Sequence, residues 1–297
     1  SQLIDVQSII KEVATSYMGK VLPNLQKKDL VVQVNSTQHT RIPHWFNPRG
    51  VQDLPEASKL TANDASVCVA HWPPTICERL AYELEAGFWE NKEGFPVPVS
   101  NDLGQDIKVL VMRNEKLITV TACIPVICTK ITSDANYQER VSQIRHVFQQ
   151  KAKHIAEGTA YEVQTFVNPH KPYLLAIGSC AECGEEGFVG RGNGLNGIIS
   201  AFRAHSVEAP YGKNPVYHVG RVHGFFTKKL AKLIWEEFKA PCTVIAVTQN
   251  GGSLIPPHLL SVSTPVKLDK RKVRKLIDNQ FANIDYVSEI LHSSQNP

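Results

Sequence analysis

Residues 187–224 read GFVGRGNGLNGIISAFRAHSVEAPYGKNPVYHVGRVHG. Glycine is dense here and no apolar period runs through the stretch. Glycine lets a backbone approach a ligand closely and aim its N–H groups at an anion. Arg191, Arg203, Lys213 and Arg221 stand among the glycines, and Arg and Lys make charge-assisted hydrogen bonds to phosphate oxygens. The segment therefore reads as a polyphosphate cradle. A surface loop using glycine for its turns is the plainer reading, but loops this long are rarely idle in a compact protein.

Two phosphate-binding patterns fail on inspection. Gly192-Asn193-Gly194-Leu195-Asn196-Gly197 spells G-x-G-x-x-G. The dinucleotide fingerprint needs a buried strand just before it, and residues 180–187 read CAECGEEG instead. Gly212-Lys213-Asn214 resembles the end of a P-loop, but Val207 occupies the first glycine position and Asn214 replaces the Ser or Thr. Cys180 and Cys183 form a C-x-x-C pair. A structural zinc site needs two further ligands at suitable spacing; no second pair exists and His205 and His218 are not compelling, so coincidence in an apolar segment outweighs zinc or redox chemistry.

Outside this segment the chain is periodic. Val6, Ile9, Ile10, Val13 and Tyr17 mark a helix over residues 5–18, and a short strand is expected over residues 30–34. Residues 41–60 read as a loop around Pro43-His44-Trp45-Phe46. Ile76, Leu80, Leu84 and Phe88 share a helix face. A hairpin follows, with residues 107–112 and 117–126 turning at Asn114-Glu115. Tyr137, Val141, Ile144, Phe148, Ala152 and Ile155 form an amphipathic helix. Residues 161–167 and 173–177 read as a second strand pair. Phe226 to Phe238 reads as a helix, residues 243–247 and 259–262 as strands, and residues 269–290 as one basic helix. Hairpins followed by long helices, without strict alternation, predict an α+β fold.

Composition narrows the class. The 297 residues carry 32 Lys plus Arg against 28 Asp plus Glu, a net charge of +4. That excess is too small to point to nucleic acid or a membrane as the main partner. No stretch has the roughly 18 apolar residues of a membrane span. Seven cysteines are scattered through mostly apolar surroundings, which reads as small buried hydrophobes in a reducing, cytoplasmic compartment.

The glycine-rich segment also resembles a known family, the archaeal-type S-adenosylmethionine synthetases. The matching residues are Val189-Gly190-Arg191-Gly192-Asn193, Asn196-Gly197, and Ser206-x-Glu208-Ala209-x-x-Gly212-Lys213-Asn214-Pro215-Val216-x-His218-Val219-Gly220. Asn63-Asp64-x-Ser66, Glu78-Arg79-Leu80 and Asp106-Ile107-Lys108-Val109 add to it. The resemblance implies three similar α+β units interleaved around a pseudo-threefold axis. In this chain they are expected as 1–55 with 183–221, 79–182, and 56–78 with 222–297. It also implies a cytoplasmic homodimer of one-carbon metabolism whose active sites are shared between subunits. It implies an adenosyl transfer: the methionine sulfur attacks the ribose C5′ of ATP and triphosphate leaves, to be cleaved to pyrophosphate and phosphate. Mg²⁺ and K⁺ are the implied cofactors. Lys108, Arg191 and Lys213 are the implied cations for the triphosphate. Cations aimed at a leaving polyphosphate stabilise the charge that develops there. Asp64 and Asp106 match acids that contact the nucleoside and methionine, and Glu186 falls at another substrate-contacting acid. Gly190, Gly192, Asn193, Asn214 and His218 match motif positions, and the metal ligands remain unassigned. From the residues alone, Asp106 and Lys108 read nearly as well as a solvated strand end.

The chain departs from the family's pattern in places. The family's Gly-His-Pro-Asp motif does not occur, Glu185-Glu186 stands where Asp-Asp is common, and Gly194 stands where Arg is common. Three explanations compete: a missing N-terminal segment, a catalytically impaired paralogue serving as a nucleotide-binding or scaffold subunit, or an enzyme retuned to a related substrate.

Overall fold

A computed structural model describes residues 5–34, 61–89, 102–183, 194–282 and 286–293. In chain order its elements are α1 (Val6–Val21), β1 (Ser66–Trp72), α2 (Ile76–Trp89), β2 (Lys108–Asn114), β3 (Leu117–Cys123), β4 (Val126–Ile127) and α3 (Asp134–Ile155). They continue with β5 (Glu162–Val167), β6 (Leu174–Leu175), α4 (Val219–Phe238), β7 (Cys242–Thr248), β8 (Leu259–Ser263), α5 (Lys270–Phe281) and α6 (Tyr286–Ser293). The fold is α+β. The chain divides into two compact units, residues 1–38 with 75–188 and residues 39–74 with 189–297.

In the first unit, alternation along β3 sends Ile118, Val120 and Ala122 into the core, with Ile124 just beyond the strand. β3 pairs antiparallel with β2 and parallel with β5, giving the order β2-β3-β5. The buried face is covered by α2 and α3, whose Phe88 and Phe148 rings lie 5.6 Å apart. The α3 residue Gln149 ties helix to sheet: its amide nitrogen donates to the Val163 carbonyl and its oxygen accepts from Thr165. Residues 173–177 do not form a hairpin with β5 as expected. β6 pairs in parallel with β4 instead. Asn168, at φ 46°, turns the chain away; its amide bonds both the N–H and the C=O of Ile124. The expected strand over residues 30–34 is not formed. α1 forms as predicted with Asp5 as its N-cap, but its apolar positions Val6, Ile9, Ile10, Val13 and Tyr17 are all exposed.

In the second unit, β7 is the central strand of an antiparallel sheet of order β1-β7-β8. Cys242, Val244, Ala246 and Thr248 alternate inward on β7. α4 packs on β1 and β7 through Leu230, Ala231 and Ile234. This helix starts at Val219, before the point at which the sequence reading ends the glycine-rich loop. Two glycines in its first two turns are needed for contact. A Cβ on Gly220 would stand 2.6 Å from the Glu208 Cβ, and one on Gly224 would stand 3.1 Å from Leu195 Cδ1. The expected C-terminal helix is two: α5 is closed at Ala282, and α6 begins at Tyr286. The 41–60 loop lies outside the described residues.

Candidate functional site

In the first unit, Asp106 and Lys108 stand where residues 102–107 feed β2. That segment is clamped at both ends. Arg140 of α3 holds Asp102 with two hydrogen bonds, of 2.6 and 3.1 Å. Gln105 and Asp106 both donate their N–H to the Gly178 carbonyl, at 2.7 and 3.2 Å. The two backbones meet at Gly104 and Gly178, where a Cβ on Gly104 would lie 2.5 Å from the Gly178 Cα. Only glycine permits this approach. On the second loop, the Glu182 carboxylate accepts from the Ala176 and Ile177 N–H groups, each at 2.7 Å.

The clamp brings four side chains together. Lys108 Nζ lies 3.3 Å from Asp106 Oδ2 and 3.6 Å from Cys180 Sγ. The Tyr173 hydroxyl and the Cys180 thiol both donate to that same Asp106 oxygen. Lys108 Nζ also lies 5.7 Å from the centre of the Tyr173 ring. Burial tends to raise the Asp106 carboxyl. The donors Cys180 and Tyr173 and the Lys108 ammonium outweigh it, so the carboxyl is held below the usual range. Burial pushes the Tyr173 hydroxyl up, and the Asp106 carboxylate beside it pushes in the same direction. Burial opposes the Lys108 charge, but Asp106 wins and its ammonium is held above the usual lysine range. The result is a fixed carboxylate beside a fixed, partly exposed ammonium. Sequence reasoning singled out this pair and missed Tyr173 and Cys180. Cys180 was visible in the C-x-x-C spacing; Tyr173 had no signal beyond its position after Pro172.

The second unit holds Asp64, Lys213, Asn214 and His218. Residues 204–207 run beside β1: Ser206 Oγ accepts from the Val69 N–H at 2.8 Å, and the Val207 N–H donates to the Val67 carbonyl. This places Glu208 against Lys213, whose ammonium bonds the Glu208 carboxylate and the Ala209 carbonyl. Gly212, at φ 79°, makes the return. The Asn214 side chain accepts from Val216 N, and its carbonyl accepts from His218 N. His218 then caps α4, with Nδ1 accepting from the Gly220 N–H at 3.2 Å. Burial lowers the His218 imidazole, aided by Lys213 and opposed by Glu208 and Asp64. Asn63 accepts from Val219 N, which fixes the turn carrying the exposed Asp64. The motif's Glu, Gly and His positions thus build the loop from within, and its Ser ties the loop to β1. Lys213 is the cation this loop carries, already neutralised by Glu208.

Glu186, Gly190, Arg191, Gly192 and Asn193 lie outside the described residues. Among the described residues no group of three His, Cys, Asp or Glu is placed to hold a metal ion. No described helix is long and apolar enough to cross a membrane. A cavity of about 530 Å³ in the second unit, lined by Ile255, Leu260, Ile277 and Phe281 among others, contains none of the candidate residues.

The fold and its two charged loops define an α+β protein with partly exposed ammonium groups on braced, glycine-dependent turns. The S-adenosylmethionine synthetase family model matches residues 1–295, and the chain belongs to that family. An uncharacterized protein of Streptococcus pyogenes is 34% identical over 300 residues, covering 99% of this chain and 73% of that protein. The S-adenosylmethionine synthase of Methanococcus vannielii is 30% identical over 300 residues, covering 96% of this chain and 71% of that one. A solved structure titled as an unusual S-adenosylmethionine synthetase from Campylobacter jejuni aligns at a TM-score of 0.47 and 14% identity, covering 77% of this chain and 61% of that chain.

Proposed function

We propose that the chain is a methionine adenosyltransferase, converting ATP, L-methionine and water to S-adenosylmethionine, phosphate and pyrophosphate. The observation that carries the reading is that the family match spans both units. The charged turns agree with it. Lys108 and Lys213 supply positive charge for a leaving triphosphate, together with Arg191. The Asp106 carboxylate, kept ionised by its donors, suits an ammonium or ribose hydroxyl, and Asp64 and Glu186 join it as substrate contacts. Asn214 and His218 shape the loop, and Gly190, Gly192 and Asn193 belong to the proposal as substrate contacts. Lys213 exchanges its Glu208 partner for a phosphate oxygen on binding.

Mg²⁺ and K⁺ belong to this proposal. The described residues do not form a cation cage, so no step is assigned to either ion. Mg²⁺ commonly rides on substrate phosphates with one or two carboxylates. The proposal extends to a cytoplasmic setting and to the three-unit arrangement set out above. It also includes a homodimer with shared sites. Support comes from the outer face of β2-β3-β5, where Leu110 and Met112 are 69% and 60% exposed beside Thr119, Thr121 and Phe166. An apolar sheet face of this kind suits a flat partner sheet. Incubation with ATP, methionine, Mg²⁺ and K⁺, followed by mass spectrometry for the sulfonium product, tests the activity. ATP binding without product would favour the nucleotide-binding or scaffold reading instead. Sedimentation at micromolar concentration tests the dimer, and a species of only 33.0 kDa would defeat it.

A further inference from the structure

We propose that Cys180 and Cys183 are a redox-active dithiol, a modification site that controls the Asp106–Lys108 pair. The two residues open and close a single 3-10 turn, Cys180–Cys183. In a 3-10 helix the side chains at i and i+3 eclipse, and the rise of about 2 Å per residue separates their Cα atoms by about 6 Å. That lies inside the Cα separation of roughly 4.4–6.8 Å that a disulfide spans. The turn is braced by Glu182, which lies between the cysteines and bonds two backbone N–H groups ahead of them.

The two thiols are differently placed. Cys183 is exposed, and Cys180 is half-buried. Cys180 donates to Asp106, lies 3.0 Å from the Tyr173 hydroxyl and 3.6 Å from the Lys108 ammonium. Burial and the neighbouring carboxylate push the Cys180 thiol up, which suits the resolving member of the pair, not the attacking one. The exposed Cys183 meets the oxidant first.

The oxidant class is a hydroperoxide. Cys183 sulfur attacks the O–O bond, giving a sulfenic acid and releasing water or an alcohol. Cys180 sulfur then displaces hydroxide from that sulfenic acid, forming the S–S bond. Two thiols lose two electrons and two protons, one O–O bond is reduced, and water leaves from the second step. The Cys180 sulfur must turn from Asp106 toward Cys183 to do this. Asp106 loses one of its three side-chain donors, keeping Tyr173 and Lys108, and the sulfur neighbouring Lys108 is withdrawn. Oxidation therefore loosens the carboxylate–ammonium pair, and a disulfide-reducing agent restores it.

The effect on turnover rests on the adenosyltransferase reading; the disulfide does not. The whole chain is treated with stoichiometric hydrogen peroxide, alkylated, digested and mapped by mass spectrometry. A Cys180–Cys183 linkage is expected, reversed by dithiothreitol and absent in Cys183→Ser. Alkylation of both cysteines after peroxide treatment, or linkage of Cys180 to another cysteine, overturns the proposal. In the second arm, sulfonium formation falls about tenfold on oxidation and recovers on reduction, while Cys183→Ser keeps the reduced activity and resists peroxide. Equal turnover in the linked and reduced forms overturns the control of the site. A linkage that forms in a protein making no sulfonium product in either state leaves the dithiol standing and defeats the adenosyltransferase reading. ATP binding, followed by calorimetry, then carries the control: equal affinity in both states overturns it.

Discussion

The two charged turns of this molecule are held in different ways. In the first unit Lys108 and Asp106 sit on a strand entry, braced by Gly104 against Gly178 and by donors from Tyr173 and Cys180. In the second unit Lys213 belongs to a loop that builds itself from Glu208, Gly212 and His218 and is tied to β1 by Ser206. The first site is set by long-range contacts between loops and a sheet. The second is set largely within one stretch of sequence. A site of the first kind is invisible to motif reading except at its strand, whereas a site of the second kind is nearly all motif.

The largest expected effects lie in the cores beneath the turns. Phe148 is fully buried against Phe88, so Phe148→Ala is expected to cost about 3–5 kcal/mol. Ile234, fully buried in the second unit, is expected to cost about 2–5 kcal/mol as Ile234→Ala. Denaturant titration measures both, and losses under about 1 kcal/mol would show that these cores are loosely packed.

Next in size is Lys213→Ala. Losing a charge-assisted contact to phosphate is worth about 1.5–3 kcal/mol, roughly tenfold or more in ATP affinity. Calorimetry with ATP checks it, and unchanged affinity would leave Lys213 as a structural partner of Glu208 alone.

The glycines sharpen the contrast further. Gly104→Ala forces its new Cβ on backbone at 2.5 Å, which cannot yield by side-chain rotation. Gly224→Ala meets the end of the Leu195 side chain at 3.1 Å and Pro210 Cβ at an ordinary 3.5 Å. Gly104→Ala is expected to cost about 1–3 kcal/mol, with Gly224→Ala costing less. Melting temperatures in the reverse order would contradict the clamp.

The last effect is spread over a range of pH and appears as a slope. Burial pushes the His223 imidazole from 6.5 down to about 4, while its Nε2 bonds the Leu254 carbonyl at 2.7 Å. Between those values the unfolded chain binds a proton that the folded chain refuses. Stability is therefore full above about pH 6.5 and falls as pH drops toward 4, by up to about 1.4 kcal/mol per pH unit from this group. Urea titrations from pH 7 to 4 measure the slope, and His223→Gln should flatten it. An equal slope in the variant would assign the acid sensitivity to other groups.

Legibility in the sequence followed the range of the forces involved. Period-two and period-3.6 patterns marked β3, α3 and α4, because burial of one face dictates those patterns, and an apolar run marked β7. The hairpin between residues 107 and 126 was legible for the same reason. β6 was read as the hairpin partner of β5 because both are apolar and lie close in sequence; the turn at Asn168, bonded to Ile124, redirects the chain. The start of α4 was missed because Gly220 and Gly224 look like loop residues until the packing of Glu208 and Leu195 is known. Asp106, Lys108 and Lys213 were legible as candidates. Tyr173 was not, because it reaches Asp106 only when residues 102–107 and 173–180 are brought together.

The most direct measurement of the central claim is stoichiometric. The whole chain is given ATP, methyl-labelled methionine, Mg²⁺ and K⁺, and labelled sulfonium, pyrophosphate and phosphate are counted together. An adenosyltransferase yields the three in equal amounts. ATP consumed without labelled sulfonium, or no sulfonium while ATP remains bound, would contradict it.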